Sequence, residues 1–403
     1  MCIKRKLAAL SAAIITAAAL CGCAGGTDSA DEAPTERTVK LTIWCAQDDR
    51  DMLVQMCKDF THAHPENHYA FSFGIVSEAE AAAQVLSDIT EAADLFFFGS
   101  GQLESLVDAG ALYSIANNRA QIESACTAEA ISAATADGKL YGYPCCADTC
   151  FLYYDKSKLT ENDVKSIETI MSKNIPDAEI SLAMNLGDIR YLGGFFLGAG
   201  CNAAQGEFDF CSDRGMLAGE YILHLAGKTG FGADYTDSMI KTGFADGTIA
   251  AAISTSRNSR EIKSSLKENY GTAPLPRFTL PDGSTAQLGS LAEYKLIGVC
   301  ASSEVPFDAM ALAEWLTNPE NQQTWLESRC LAPANAKLCS TCAGSAAAPE
   351  ASAIIRQLEY AVPQPDSAQM KALCAAAEQL KQDIIAGSVT LNTLYERLKL
   401  MEN

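Results

Sequence analysis

The chemistry to weigh first in this chain of 403 residues belongs to its 16 cysteines. Cys145-Cys146-x₃-Cys150 and Cys339-x₂-Cys342 carry thiols at spacings that zinc sites use. Neither completes one. A zinc ribbon needs two CxxC units, and adjacent cysteines on a strand point to opposite faces. These thiols read as small core residues. His62-x-His64-x₃-His68 is a second cluster, but Pro65 interrupts it and leaves the imidazoles in a connecting loop, where they read as solvated. Asp148 and Asp188 are types suited to glycoside hydrolysis, and Cys146 to nucleophilic attack. A thiol nucleophile needs an activating base; three of the four His lie in one loop and His224 lies on a helix. Gly193, Gly194 and Gly198 lack the Lys-Ser/Thr of a phosphate loop and read as points of close helix approach. No cofactor, no metal and no catalytic constellation is expected, so the chain reads as a non-enzyme.

Those residues sit behind an address. Lys4, Arg5 and Lys6 precede an apolar run from Leu7 to Leu20, the layout of an export signal. The run ends Leu20-Cys21-Gly22-Cys23, which resembles a bacterial lipobox and implies cleavage before Cys23 and acylation of that residue. Residues 1–22 are then a lipoprotein signal peptide, and 23–36, small, polar and acidic, a lipidated disordered tether. Several acyl chains at about 0.8 kcal/mol per buried CH₂ hold firmly, so the expected location is the outer face of the cell membrane. Loss of three basic residues moves the formal charge from −20 to −23. A chain this acidic repels phosphates, which excludes nucleic-acid binding. Beyond the leader no apolar run reaches about 20 residues, which excludes a multi-span membrane protein. Thirteen Cys follow Cys23; an odd number cannot all pair internally, and most are expected as free thiols.

The elements that must position the polar groups alternate. Val39–Trp44 has the period of a strand, and Leu53, Met56 and Phe60 the spacing of an amphipathic helix. Further strands are expected at 69–76, 93–98, 139–143, 150–154, 180–184, 250–254 and 270–275, with Pro144 to Thr149 as a connection. Helices are expected at 79–89, from 103 to Gly110, and at 215–225, 307–317, 351–360 and 370–385. Asn318 and Pro319 open another as N-cap and N1. Such alternation is α/β.

Six motifs in order then resemble one family, the bacterial extracellular solute-binding proteins of carbohydrate-type ABC importers, which includes maltose-binding protein. They are Lys40-Leu-Thr-Ile-Trp44 with Lys58-Asp-Phe60, Ala93-Asp-Leu-Phe96 with Leu106-Val-Asp-Ala-Gly-Ala-Leu112, and Gly138-Lys-Leu-Tyr-Gly-Tyr-Pro144 with Leu152-Tyr-Tyr-Asp-Lys156. Phe244-Ala-Asp-Gly247, Asn269-Tyr-Gly-Thr-Ala-Pro-Leu-Pro276 and Ala313-Glu-Trp-Leu-Thr-Asn318 complete the set. The resemblance implies a two-lobe periplasmic-binding-protein fold of type II, its ligand cleft between lobes joined by crossover strands. Lobe 1 would comprise 37–147 plus 296–338, and lobe 2 150–293 plus 340–403. It further implies a monomer that captures a small polar solute and passes it to ABC permease subunits.

Carried over position by position, the ligand residues would be Asp48, Phe98, Gln102, Asp148, Asp188, Arg190 and Arg257. Asp49 stands where the maltose-type pattern has Lys, and Gly101-Gln102 replaces an Asp-Arg pair. Arg190 and Arg257 occupy aromatic positions, and Met370 or Cys374 replaces a further Trp. Sugars are gripped by aromatic faces together with carboxylates and amides, whereas an Arg fork suits a carboxylate or phosphate. The ligand alternatives are therefore a sugar or oligosaccharide and a charged solute. A ligand-sensing or structural lipoprotein is the rival class.

Overall fold

The structure is a computed structural model that describes residues 37–203 and 207–402. The signal peptide, Cys23 and the tether lie outside the described residues.

Arg37–Cys45 alternates as its sequence requires, with Val39, Leu41, Ile43 and Cys45 inward. It pairs in parallel with Asn67–Ile75 along nine residues and with Leu95–Gly99 at Ile43 and Trp44. The helix between the first two strands, Arg50–Ala63, buries Leu53, Met56, Cys57 and Phe60 against them. Leu95–Gly99 is buried at every position, as expected of a strand covered on both faces. It also pairs antiparallel with Ser290–Val299, a ten-residue strand that in turn pairs with Gly142–Asp148. Ala332–Pro333 and Ala361–Pro363 complete a seven-stranded sheet.

Gly142–Asp148 corrects the sequence reading, which placed a connection from Pro144 onward. Pro144 and Cys146 face Leu296 and Lys295, and the register shifts between them. A bulge there accommodates a residue with no N–H to give the ladder.

A second, five-stranded sheet runs Tyr270–Ala273, Phe151–Asp155, Ile249–Ser254, Ile180–Ala183, Phe231–Gly232. One of its faces shares a core with Ile189–Ala199, Asp213–Ala226 and Ser367–Ile385, built from Phe195, Phe196, Phe210, Leu182, Ile253 and Leu380. Gly194 and Gly198 let Ile189–Ala199 approach the backbone closely: a Cβ there would lie 2.6 Å from Gly289 O and 2.4 Å from Gln287 O respectively.

Each sheet with its helices forms a lobe, and the chain crosses between them on adjacent segments. Asp148-Thr149-Cys150 links the two sheets directly. Thr149 Oγ1 donates to Leu291 O at 2.8 Å, and Ala361–Pro363 pairs in parallel with Ser290–Ala292. Buried Gln357 stitches the crossing: its Nε2 donates to Leu288 O at 3.0 Å, and its Oε1 accepts from Leu275 N at 2.9 Å.

Candidate functional site

The crossing gathers polar groups from both lobes. Asp148 ends its strand, where Oδ1 accepts from Thr149 N at 2.9 Å and Oδ2 from Ser256 Oγ at 2.7 Å. Ser256 belongs to the turn Ser256–Asn258 after Ile249–Ser254. Asn258 holds that turn, donating to Asp237 Oδ1 at 2.7 Å and to Ser254 Oγ at 2.8 Å. The turn thus presents an exposed Arg257 on a fixed base. Burial pushes the Asp148 carboxyl up to about 6, against the pull of its bonds to Ser256 and Thr149 and the charge of Arg257.

Glu293 faces Asp148 across the ladder. Its carboxyl lies over Gly99, where a Cβ would come within 1.9 Å of Oε1. Burial first, then the charges of Glu78 and Asp148, push Glu293 up to about 7, while Arg190 and Lys295 pull it back.

From the second lobe, Asp188 caps Ile189–Ala199 by accepting from Arg190 N at 2.9 Å, and it also takes the Arg190 guanidinium, with Nε 3.0 Å from each oxygen. That pairing holds Arg190 well above its ordinary value, against the opposing effect of burial. Cys374 donates to the same carboxylate at 3.6 Å. Cys150, two residues past Asp148, donates to Arg190 O at 3.5 Å and ties the two groups together.

The first lobe supplies a buried ionic network. Asp49 is 3% exposed and accepts from Lys295 Nζ at 2.8 Å and Arg329 Nε at 2.6 Å. Lys295 also pairs with Glu78 and lies 4.5 Å from the ring centre of fully buried Trp325. Burial disfavours that ammonium, but Glu78 and Asp49 outweigh it and hold Lys295 well above its ordinary value.

Of the residues singled out from sequence, Asp148, Asp188, Arg190 and Arg257 are grouped at this crossing. Asp48 stands at the edge, its side chain 83% exposed and 3.9 Å from Arg329. Phe98 offers no stacking face: it is fully buried, packed against Phe96 with ring centres 5.7 Å apart. Strand alternation puts both rings on one covered face. Gln102 is turned inward, its Nε2 donating to Ala79 O at 3.1 Å and to Ser367 Oγ at 3.3 Å. Sequence reasoning missed Glu293, Lys295 and Ser256. The signal for the first two was a pair of charges two apart inside an apolar run, the pattern of one strand face carrying a function. His64 is accounted for by packing: its ring lies 4.1 Å from that of Phe60, and Nδ1 is 2.9 Å from Phe60 O.

A two-lobe α/β molecule whose crossing segments carry converging charged groups has the architecture of a solute-binding protein, because clefts at domain interfaces close around ligands. Residues 55–352 match the bacterial extracellular solute-binding protein family, and the chain belongs to it. It is 26% identical over 311 residues to the galactooligosaccharide-binding protein of Bacillus subtilis, covering 73% of this chain and 72% of that one. It is 26% identical over 282 residues to the maltodextrin-binding protein MdxE of the same organism, covering 64% of this chain and spanning 65% of MdxE. A solved structure described as being with acarbose is 26% identical and superposes with a TM-score of 0.79 over 91% of this chain and 98% of its own. The maltodextrin-binding protein MalE1 from L. casei BL23 shares the fold, with a TM-score of 0.79 at 22% identity over 91% of this chain and 99% of its own.

Proposed function

We propose that this chain is the capturing subunit of an ABC importer, taking a sugar or oligosaccharide between its lobes and delivering it to a membrane permease. The observation that carries this reading is the convergence of Asp148, Asp188, Arg190, Arg257 and Glu293 from both lobes at the crossing. Carboxylates accept sugar hydroxyls and guanidinium groups donate to ring and hydroxyl oxygens, so closing the lobes would surround a hydroxyl-rich ligand with both. The names of the two 26% identical relatives, for maltodextrin and galactooligosaccharide, support the same class of ligand. In this reading the lobes are 37–147 plus 296–338 and 150–293 plus 340–403, with 290–293 and 361–363 extending the first sheet into the crossing that joins them; Asp48 lies at the rim, and the chain works as a monomer without catalysis. Acylation of Cys23 would tether it to the outer face of the membrane. Among the described residues no helix is long and apolar enough to cross a membrane.

The test is a thermal-shift screen with maltotriose and galactooligosaccharides. A ligand at 100 times its Kd stabilises the fold by about 2.7 kcal/mol, roughly 3–4 °C in a chain of this size. Arg257→Ala and Asp148→Ala should each weaken binding by more than about tenfold, or 1.4 kcal/mol. Binding retained within about threefold by both variants would move the site elsewhere.

A further inference from the structure

The acids at the crossing are not matched alike, and the mismatch sits on one of them. Asp188 is taken by Arg190, and Asp49 by Lys295 and Arg329. Glu78 is taken by Lys295, and Asp148 accepts from Thr149 and Ser256. Arg257 is exposed and acts on Asp148. Among the acids of the crossing, Glu293 alone makes no hydrogen bond and no ion pair with the described residues. The charged groups that act on it are Glu78 and Asp148, both acids, and Arg190 and Lys295, both already engaged. Half-buried charges are normally paired, so this carboxylate lacks a counter-charge.

Its position is built for a contact. Gly99 is the residue beneath its carboxyl, and any side chain there would collide with it. The Glu293 carboxyl lacks both a donor and a positive charge. A sugar hydroxyl supplies a donor but leaves the surplus charge standing. An ammonium supplies three donors and cancels it.

We infer that Glu293 is a specificity-determining residue of the interlobe site, selecting oligosaccharides that carry a protonated amine, such as glucosamine oligomers, over neutral ones. The inference rests on the oligosaccharide reading above. Burial beside Glu78 and Asp148 raises Glu293 to about 7, and a bound cation would lower it, so binding releases a proton near neutral pH.

The test is calorimetric titration of the chain from Arg37 onward in low salt at pH 7 with three trimers: chitotriose (glucosamine), cellotriose (glucose, the same linkage) and maltotriose. Chitotriose should bind at least about tenfold tighter than cellotriose, with a preference that shrinks as salt is added. Glu293→Gln keeps the side-chain shape and should bring the two within about threefold. Gly99→Ala, which displaces the carboxyl while leaving it ionisable, should do the same. A neutral trimer that binds as tightly as chitotriose overturns the inference and leaves the oligosaccharide reading standing. A preference that survives both variants overturns the assignment to Glu293. Failure of all three trimers to bind overturns the reading and the inference together.

Discussion

Two adjacent aspartates show how much environment decides. Asp48 and Asp49 follow the same strand, yet one is in water and the other sits at the centre of an ionic network with Lys295 and Arg329. Removing one partner of a buried pair leaves the others uncompensated and typically costs about 3–5 kcal/mol. Asp49→Asn should therefore lower unfolding stability in urea by roughly 3 kcal/mol, while Asp48→Asn should stay within about 0.5 kcal/mol. Glu293 makes the opposite contribution. Its folded value, about 7, lies above the ordinary 4.5, so the folded state binds the proton more tightly than the unfolded one. Its contribution to stability is therefore most favourable at pH 4 and below, falls as pH rises from 4.5 to 7, and stays unfavourable above. Glu293→Gln removes that dependence. The variant should melt higher than wild type at pH 8, with the gap closing toward pH 5 in a ligand-free melting series. A site residue that destabilises the empty fold is a familiar cost of function.

At the scale of elements, legibility followed periodicity. Arg37–Cys45 and Arg50–Ala63 were readable because each buries one clean face. Ser290–Val299 was not. It is buried on nearly every residue, yet Glu293 and Lys295 break its apolar run, so it matches neither an alternating strand nor a continuous one. Because that strand carries the uncompensated acid, the part of the site it builds stayed hidden with it. Phe98 shows the reverse failure: its resemblance to a stacking position was sound in sequence, but both faces of its strand are covered. Paired strands of two or three residues, such as Phe231–Gly232 and Ala332–Pro333, are set by tertiary contacts and leave no pattern. Of the three glycines read from sequence as points of close approach, Gly194 and Gly198 are such points, whereas Gly193 has room for a Cβ with its nearest neighbours 3.6 Å away; the first two support a test. Gly194→Ala forces a methyl against Gly289 O, and overpacking of this kind costs about 1–3 kcal/mol. It should lower the Tm without changing helix content by circular dichroism.

At the scale of the molecule, the sulfur chemistry is uniform. All 13 cysteines from Cys45 to Cys374 are free. Burial pushes Cys45 up to about 11 and Cys57 and Cys150 to about 12, so these thiols are poor nucleophiles while folded. Titration with a thiol reagent at pH 8 should be slow for the native protein. Unfolded without reductant, the chain from Arg37 onward should give close to 13 thiols. A count of 3 or fewer, the sign of five or more disulfides, would contradict this assignment.

The direct link between the sheets, Asp148-Thr149-Cys150, and the strand that carries Glu293 have one more consequence. In the proposed function, the groups that read the solute stand on the same segments that join the lobes, so they would also be the pivot on which the lobes turn. A lever that senses its load at the fulcrum has no slack between weighing and swinging, and neither can be tuned alone. Substitutions that retarget such a protein to a new solute will also reset its resting angle. The retargeted variant should therefore show a different small-angle scattering profile from wild type while still empty, before any solute is added.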